Sequence, residues 1–245
     1  MESATLLDYP SDELDAMARA RNYYRWILNY WRPHLGRFVV EFGAGIGTFS
    51  AHLLGEQVER LFVVEPAPAL AKRLEDRFCG DRRVTVVRGV LADARREDKD
   101  YSVDSVVSVN VLEHIDDDVA TLRAAFDILV PGGRLMAFVP AFQWLYGSLD
   151  RTFGHVRRYT RGDLVTKLRA VGFELVSSRY MNLLGTLSWL LAGRVLRQRT
   201  LAPGAVALAD RTLIPVSAWL ERSVQPPFGQ NLMVLARKPL TMESR

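Results

Sequence analysis

At 245 residues the chain is one domain with a modest extension, or at most two small domains, and is long enough to bury roughly 70–75% of its unfolded surface. Apolar residues make up 49% and charged residues 24%, which excludes a largely disordered chain. A single cysteine, Cys79, excludes a disulfide scaffold or cysteine-ligated zinc within one chain, and a net charge of +4 without a basic stripe argues against nucleic acid as partner.

The first residues carry neither a basic n-region nor a long apolar core, so no signal peptide is expected. The longest apolar stretch, residues 183–196, is interrupted by Ser188, Gly193 and Arg194 and falls short of the ~20 residues that span a bilayer. A cytoplasmic protein with no transmembrane segment is the expectation. The modest positive charge tolerates an anionic ligand or contact with an anionic membrane surface.

In chain order, residues 11–31 read as one helix. Ser11 suits its cap, and Leu14, Met17, Ala18, Arg21, Tyr24, Ile27, Leu28 and Trp31 recur at helical spacing, with Pro33 and Gly36 to end it. Short apolar strands then alternate with amphipathic helices. The strands fall at 37–42, 60–65, 84–87, 105–109 and 134–139, and the helices near 49–54, 68–78 and 119–129. Residues 161–171 read as a helix stopped by Gly172, followed by a strand at 173–179. Residues 180–228, rich in Leu, Trp and Arg, break the alternation with two helices near 183–197 and 205–222. Pro226-Pro227-Phe228-Gly229 then turns the chain into a last strand, 231–237.

This pattern predicts a single α/β domain with a doubly wound, mostly parallel seven-stranded sheet. Its parts are an N-terminal helical lid (1–36), a cofactor-binding core (37–179), a helical acceptor-side insertion (180–228), and a final strand with tail (229–245). Such sheets bind ligands outside the carboxyl ends of their strands, so the residues just after each strand are the candidates.

The first strand runs into Gly43-Ala44-Gly45-Ile46-Gly47, where glycines permit a sharp turn and close approach of a ligand to the backbone at a helix N-terminus. The second ends in Glu65-Pro66; a carboxylate there can accept from both hydroxyls of a ribose. The loop is Gly-x-Gly-x-Gly preceded by Glu41, not the Gly-x-Gly-x-x-Gly that holds a pyrophosphate, which speaks against a nicotinamide oxidoreductase. Downstream stand Asn110-Val-Leu-Glu-His-Ile-Asp-Asp-Asp118 and Pro131-Gly132-Gly133.

Taken together, these segments resemble the successive motifs of the class I S-adenosylmethionine-dependent methyltransferases of small-molecule type, over about residues 35–140. The resemblance implies a Rossmann-like methyltransferase fold, S-adenosyl-L-methionine as cofactor and S-adenosyl-L-homocysteine as product. It implies that Gly43, Ala44, Gly45 and Gly47 form the loop under the methionine part, and that Glu41 orients its amino group or the loop. Glu65, with Pro66, would hold the ribose, and Asn110 and Val111 would lie beside the sulfonium. Val90 stands where many members have an acid for the adenine amino group. The adenine would then be held by Val90, Leu91 and backbone, or Asp93 would reach in. Tyr23 and Tyr24 of the first helix would fold over the cofactor, or simply pack as core.

The segment from Pro140 to Thr160 lies where an acceptor should bind. His155 suits a general base by type, since histidine ordinarily titrates near ~6.5, but suits equally a strut hydrogen-bonded to Asp150. Tyr146 is the alternative polar group. Arg157, Arg158 and Arg161 suit an anion clasp, or solvated positions with Arg161 paired to Asp163. His114 reads as structural or cofactor-side rather than catalytic, and no metal is expected. Phe142, Trp144, Tyr146, Trp189 and Trp219 supply aromatic surface for a flat acceptor, with Trp219 read as core of the insertion.

The leading expectation is transfer of a methyl group to an O or N atom of a small molecule, for instance a flat heterocycle of a secondary-metabolite pathway such as a toxoflavin-type azapteridine. Two alternatives stand beside it. One is a lipid or polyprenyl-linked glycan acceptor, with residues 183–196 and Arg197 and Arg199 as an amphipathic cap making peripheral membrane contact. The other is a catalytically silent cofactor-binding module. None of these motifs encodes the oligomeric state.

Overall fold

The structure is a computed structural model describing residues 11–97 and 102–240, so residues 1–10 of the predicted lid and 241–245 of the tail lie outside it. The strands are β1 (Phe38–Phe42), β2 (Arg60–Glu65), β3 (Val84–Arg88), β4 (Ser105–Val109), β5 (Arg134–Pro140), β6 (Glu174–Met181) and β7 (Asn231–Arg237). They form one seven-stranded sheet in the order β3-β2-β1-β4-β5-β7-β6. The first five are parallel, and β7 enters antiparallel between β5 and β6.

The order reverses between β1 and β4, leaving a crevice at the carboxyl ends of the two most enclosed strands. Alternation assigns each side chain of β1 to a face. Val40 and Phe42 join the apolar cluster holding Phe62, Leu122, Phe126 and Leu168, while Val39 joins the opposite cluster with Ile27, Trp31, Phe49 and Leu61. Glu41 therefore projects to the second face, at the sheet's ligand end.

The predicted single helix at 11–31 is two: α1 (Ser11–Met17) and α2 (Arg21–Trp31). Apolar periodicity runs through both, but the chain leaves helical geometry at Ala20. The start of α2 is capped from far away. The Asp210 carboxylate accepts from the backbone N–H groups of Asn22 (3.0 Å) and Tyr23 (2.9 Å), a partner no local pattern announces. Further helices are α3 (Thr48–Leu53), α4 (Pro68–Arg77), α5 (Leu91–Glu97), α6 (Asp118–Ile128), α7 (Ser148–Thr152) and α8 (Arg161–Val171). The sequence reading did not anticipate α5. Gly172 stops α8 as expected, with φ +114°.

The insertion consists of α9 (Leu183–Leu190), a π turn (Leu191–Val195) and α10 (Pro203–Ser223). Glu221 of α10 accepts from the Leu183 N–H at 2.9 Å, so α10 caps α9 as well as α2. One expectation fails here: Trp219 is 68% exposed rather than core. The face that α10 turns inward instead carries Asp210, Ile214, Ser217 and Glu221.

Candidate active site

The glycine loop leaves β1 in left-handed backbone, with φ of +67° at Gly43, +58° at Gly45 and +76° at Gly47. The N–H groups of Gly43 and Ala44 donate to Val64 O at 2.9 and 3.1 Å, pinning the loop across β2. A Cβ on Gly43 would stand 2.5 Å from the methyls of Val111, and one on Gly45 3.3 Å from Leu14 of α1. The loop is thus narrowly enclosed by the segment after β4 and by α1. Gly47 differs, being pressed on Phe78 and Leu74, so its missing side chain serves the packing of α4.

Two carboxylates frame this loop. Glu41 is buried, its Oε2 has no hydrogen-bond partner among the described residues, and burial pushes its pKa up to about 8. Glu65 accepts from the Gly45 N–H (2.8 Å) and the Ala67 N–H (3.0 Å), tying the loop to the start of α4 just beyond Pro66. Burial raises its pKa, and those two bonds oppose the rise. A carboxylate has acceptor capacity beyond two bonds. Tyr24 is buried against Phe49 and His52, and burial together with the nearby carboxylates Glu13 and Glu41 raises its pKa.

Leu91 is buried, whereas Val90 is 53% exposed. Asp93 Oδ2 accepts from the Val90 N–H at 3.0 Å, so Asp93 caps the start of α5. Asn110 holds φ +54°, unusual for a residue with a side chain, and its N–H donates to Phe138 O across β5 at 2.8 Å. Left-handed glycines against Val111, the partnerless oxygen of Glu41 and the spare acceptor capacity of Glu65 suit S-adenosylmethionine, which carries a cationic amino group at one end and vicinal hydroxyls on its ribose.

In the segment after β5, Asp150 is the hub. It accepts from His155 Nδ1 (2.8 Å), Arg158 Nε (2.7 Å), the Gly147 N–H (2.8 Å) and Trp189 Nε1 (3.2 Å). Burial alone would raise its pKa, but the bond from His155 and the charge of Arg158 outweigh it and hold the carboxyl at about 2. His155 is therefore hydrogen-bonded to Asp150, the strut arrangement the sequence allows, and its Nε2 faces Glu113 Oε1 across 4.0 Å. Glu113 is fully buried with neither oxygen hydrogen-bonded among the described residues, and burial raises its pKa well above the carboxylate range. The His114 ring meets that of His155 edge-on at 4.8 Å, and burial first, then His155, pushes its pKa down to about 3.

Glu113, His114 and His155 can each offer a ligand atom to a metal ion, with those atoms within 4.8 Å of one another. The sequence reading passed over Glu113, although it lies inside the Asn110–Asp118 motif, and set His114 aside. Tyr146 is engaged elsewhere: its hydroxyl donates to His155 O at 2.7 Å, bracing the loop. Tyr23 is buried nearby, its hydroxyl donating to Asn231 Oδ1 at 3.3 Å and its ring edge-on to Phe138 at 5.7 Å.

The arginines are not a clasp. Arg158 is buried on Asp150 and Ala141 O, Arg157 pairs with Asp118 at 2.9 Å, and Arg161 lies over the Tyr180 ring at 5.1 Å rather than on Asp163, which caps α8 with Thr160. Phe142 stacks on Tyr180 at 4.6 Å and tilts against Trp144 at 5.7 Å. Trp144 itself is 49% exposed.

The profile of the family described as "Methyltransferase domain" matches residues 16–178. A protein of Mycolicibacterium smegmatis named a probable S-adenosylmethionine-dependent methyltransferase is 29% identical over 161 residues, a match covering 60% of this chain and 60% of that protein. A solved S-adenosylmethionine-dependent methyltransferase from Archaeoglobus fulgidus superposes with a TM-score of 0.56 at 19% identity, over 93% of this chain and 94% of that one. The [4+2]-cyclase SpnF superposes with a TM-score of 0.59 at 17% identity, over 91% of this chain and 81% of that one. The profile match, the motif order and the glycine cradle converge: the chain belongs to the class I S-adenosylmethionine-dependent methyltransferases.

Proposed function

We propose that this chain transfers the methyl group of S-adenosylmethionine to an oxygen or nitrogen atom of a small acceptor at the carboxyl ends of β4 and β5, with His155 as the base. The observation that carries the reading is His155 fixed by an ionised Asp150, with its Nε2 4.0 Å from Glu113 Oε1. The cofactor would supply an electrophilic methyl group on its sulfonium, the carbon–sulfur bond breaking so that the neutral thioether of S-adenosylhomocysteine leaves. Everything else asked of the protein is orientation and proton removal, and holding two reactants in line can account for ~7–11 kcal/mol of a barrier.

The ionised Asp150 accepts the Nδ1 proton of His155, which in the neutral ring leaves the lone pair on Nε2. An acceptor O–H or N–H directed at Nε2 loses its proton there as the new bond to carbon forms. Glu113, whose pKa burial raises well above the carboxylate range, lies beside that nitrogen. Glu41 and Glu65 would hold the two ends of the cofactor, Asn110 and Val111 its middle, with Tyr24 covering the loop. Phe142, Trp144 and Tyr180, stacked at the end of β5, favour a flat ring such as an azapteridine of toxoflavin type within this acceptor class. A lipid-linked acceptor gains support from a separate feature of the insertion, described below. The SpnF superposition shows the fold alone, so the case for retained cofactor binding rests on the cradle.

The test begins with titration calorimetry. S-adenosylhomocysteine should bind at about −8 kcal/mol, NADH should not, and Glu65→Ala should abolish the heat. Release of the product is then followed over an acceptor panel. His155→Ala should lower kcat by about 10²–10⁴-fold while leaving product affinity within about threefold. Tyr146→Phe, which removes only a brace, should cost tenfold or less. Activity that survives exhaustive chelation supports the proton role; activity lost to a chelator and restored by a divalent cation reassigns Glu113, His114 and His155 to a metal. Binding with no turnover on any acceptor supports the silent module.

A further inference from the structure

The insertion folds inside out. Each helix turns apolar side chains to solvent: Leu187, Leu191 and Val195 from α9 and the π turn, and Val216, Trp219 and Leu220 from α10. Leu187 and Val195 are each 65% exposed and Trp219 68%. Meanwhile α10 buries Asp210, Ser217 and Glu221, and the two acids are consumed as caps of α2 and α9. The remaining charged residues between 182 and 228 are all arginines, at 194, 197, 199, 211 and 222, and all are exposed. Exposed apolar surface rimmed by a single sign of charge marks a docking face.

Charge points to the occupant. A cleft of about 710 Å³ between the 146–152 loop and the π turn is lined by Arg151, Arg194, Arg197 and Arg199, with Tyr146 and Ser148. Among the described residues none of these arginines has a carboxylate within salt-bridge distance; Arg194 donates instead to Trp144 O at 2.8 Å. A second copy of this chain on the same face would set arginine against arginine, because a two-fold contact pairs a patch with itself. No described helix is long and apolar enough to cross a membrane, so the face is suited to lying in an interface rather than spanning it.

We propose that the α9–α10 face docks this protein on an anionic lipid bilayer, with the apolar side chains in the headgroup boundary and the arginine cleft over lipid phosphates. Docking there brings the acceptor-side loop to the membrane, since Tyr146 lines the cleft and also holds the His155 carbonyl. The inference goes beyond the proposed methyl transfer and does not depend on it.

The test is sedimentation of the full chain with vesicles of phosphatidylcholine alone and of phosphatidylcholine with phosphatidylglycerol, at low and high salt. The expected result is partition onto the anionic vesicles at least tenfold above the neutral ones, weakened by salt. Leu191→Glu with Trp219→Glu should lower it at least tenfold by removing the apolar contact, and so should Arg197→Glu with Arg199→Glu by removing the charge. Both variant pairs should keep the circular dichroism and the S-adenosylhomocysteine affinity of the parent, which separates lost docking from lost folding. Partition that fails on anionic vesicles, or that both variant pairs retain, overturns the proposal. So does a dimer by light scattering that Leu191→Glu with Trp219→Glu dissolves in the absence of vesicle binding.

Discussion

At the residue scale, Glu41 is where the proposed cofactor binding makes its sharpest pH prediction. A carboxyl whose pKa sits near 8 in the folded chain and near its ordinary 4.5 when unfolded binds its proton more tightly folded. Its contribution is therefore fully present below about pH 4.5, and the ligand-free chain loses stability as pH rises through about 8, by roughly 5 kcal/mol in all. A ligand ammonium opposite Glu41 would favour the ionised form and reverse part of that loss. Thermal melts from pH 5 to 9 should accordingly show a falling midpoint without S-adenosylhomocysteine and a flatter course with it. Glu41→Gln should remove the difference in slope; a parent profile equally steep in both series would place the cofactor's amino group elsewhere.

At the element scale, the helices around the cofactor cleft depend on caps supplied from a distance. α2 carries Tyr23 and Tyr24 but has no side-chain cap of its own; Asp210, on α10, satisfies two of its first N–H groups. Removing a buried cap costs about 1–2 kcal/mol. Asp210→Ala should therefore lower the midpoint by about 2–8 °C in a domain of this size. It should also weaken S-adenosylhomocysteine binding, because the loosened helix carries Tyr24, proposed above to cover the loop. Calorimetry of the variant checks both; a lowered midpoint with unchanged affinity would mean that α2 only packs. The sequence could not disclose this pairing, since Asp210 and Asn22 have no shared periodicity and meet only when α10 folds back on α2.

At the scale of the whole molecule, the cleft joins parts from opposite ends of the chain. α1 lies on the glycine loop through Leu14, Tyr23 reaches Asn231 at the start of β7, and α10 braces α2. A ligand seated among them should tighten the domain as a unit. S-adenosylhomocysteine at about 100 times its Kd adds about 2.7 kcal/mol, which corresponds to a rise of about 5–11 °C in the midpoint at this chain length. Differential scanning at graded ligand concentration measures it, and a midpoint independent of ligand would contradict a closed cleft.

The sequence by itself determined the sheet and its ligand end. Runs such as Val39-Val40 and Val106-Val107 have no alternative to burial on both faces, and the left-handed turns at Gly43 and Gly45 need residues without a side chain. It also carried both roles open to His155, because Asp150 stands five residues away in the same loop. What only the tertiary structure decided involved partners far apart in the chain or faces with no local signature. Glu113 met His155 because the segment after β4 and the loop after β5 end side by side. Apolar side chains normally turn inward, so sequence patterning placed Trp219 in the core. The acids that cap α2 and α9 took the inner face of α10 instead, and Trp219 was left outside.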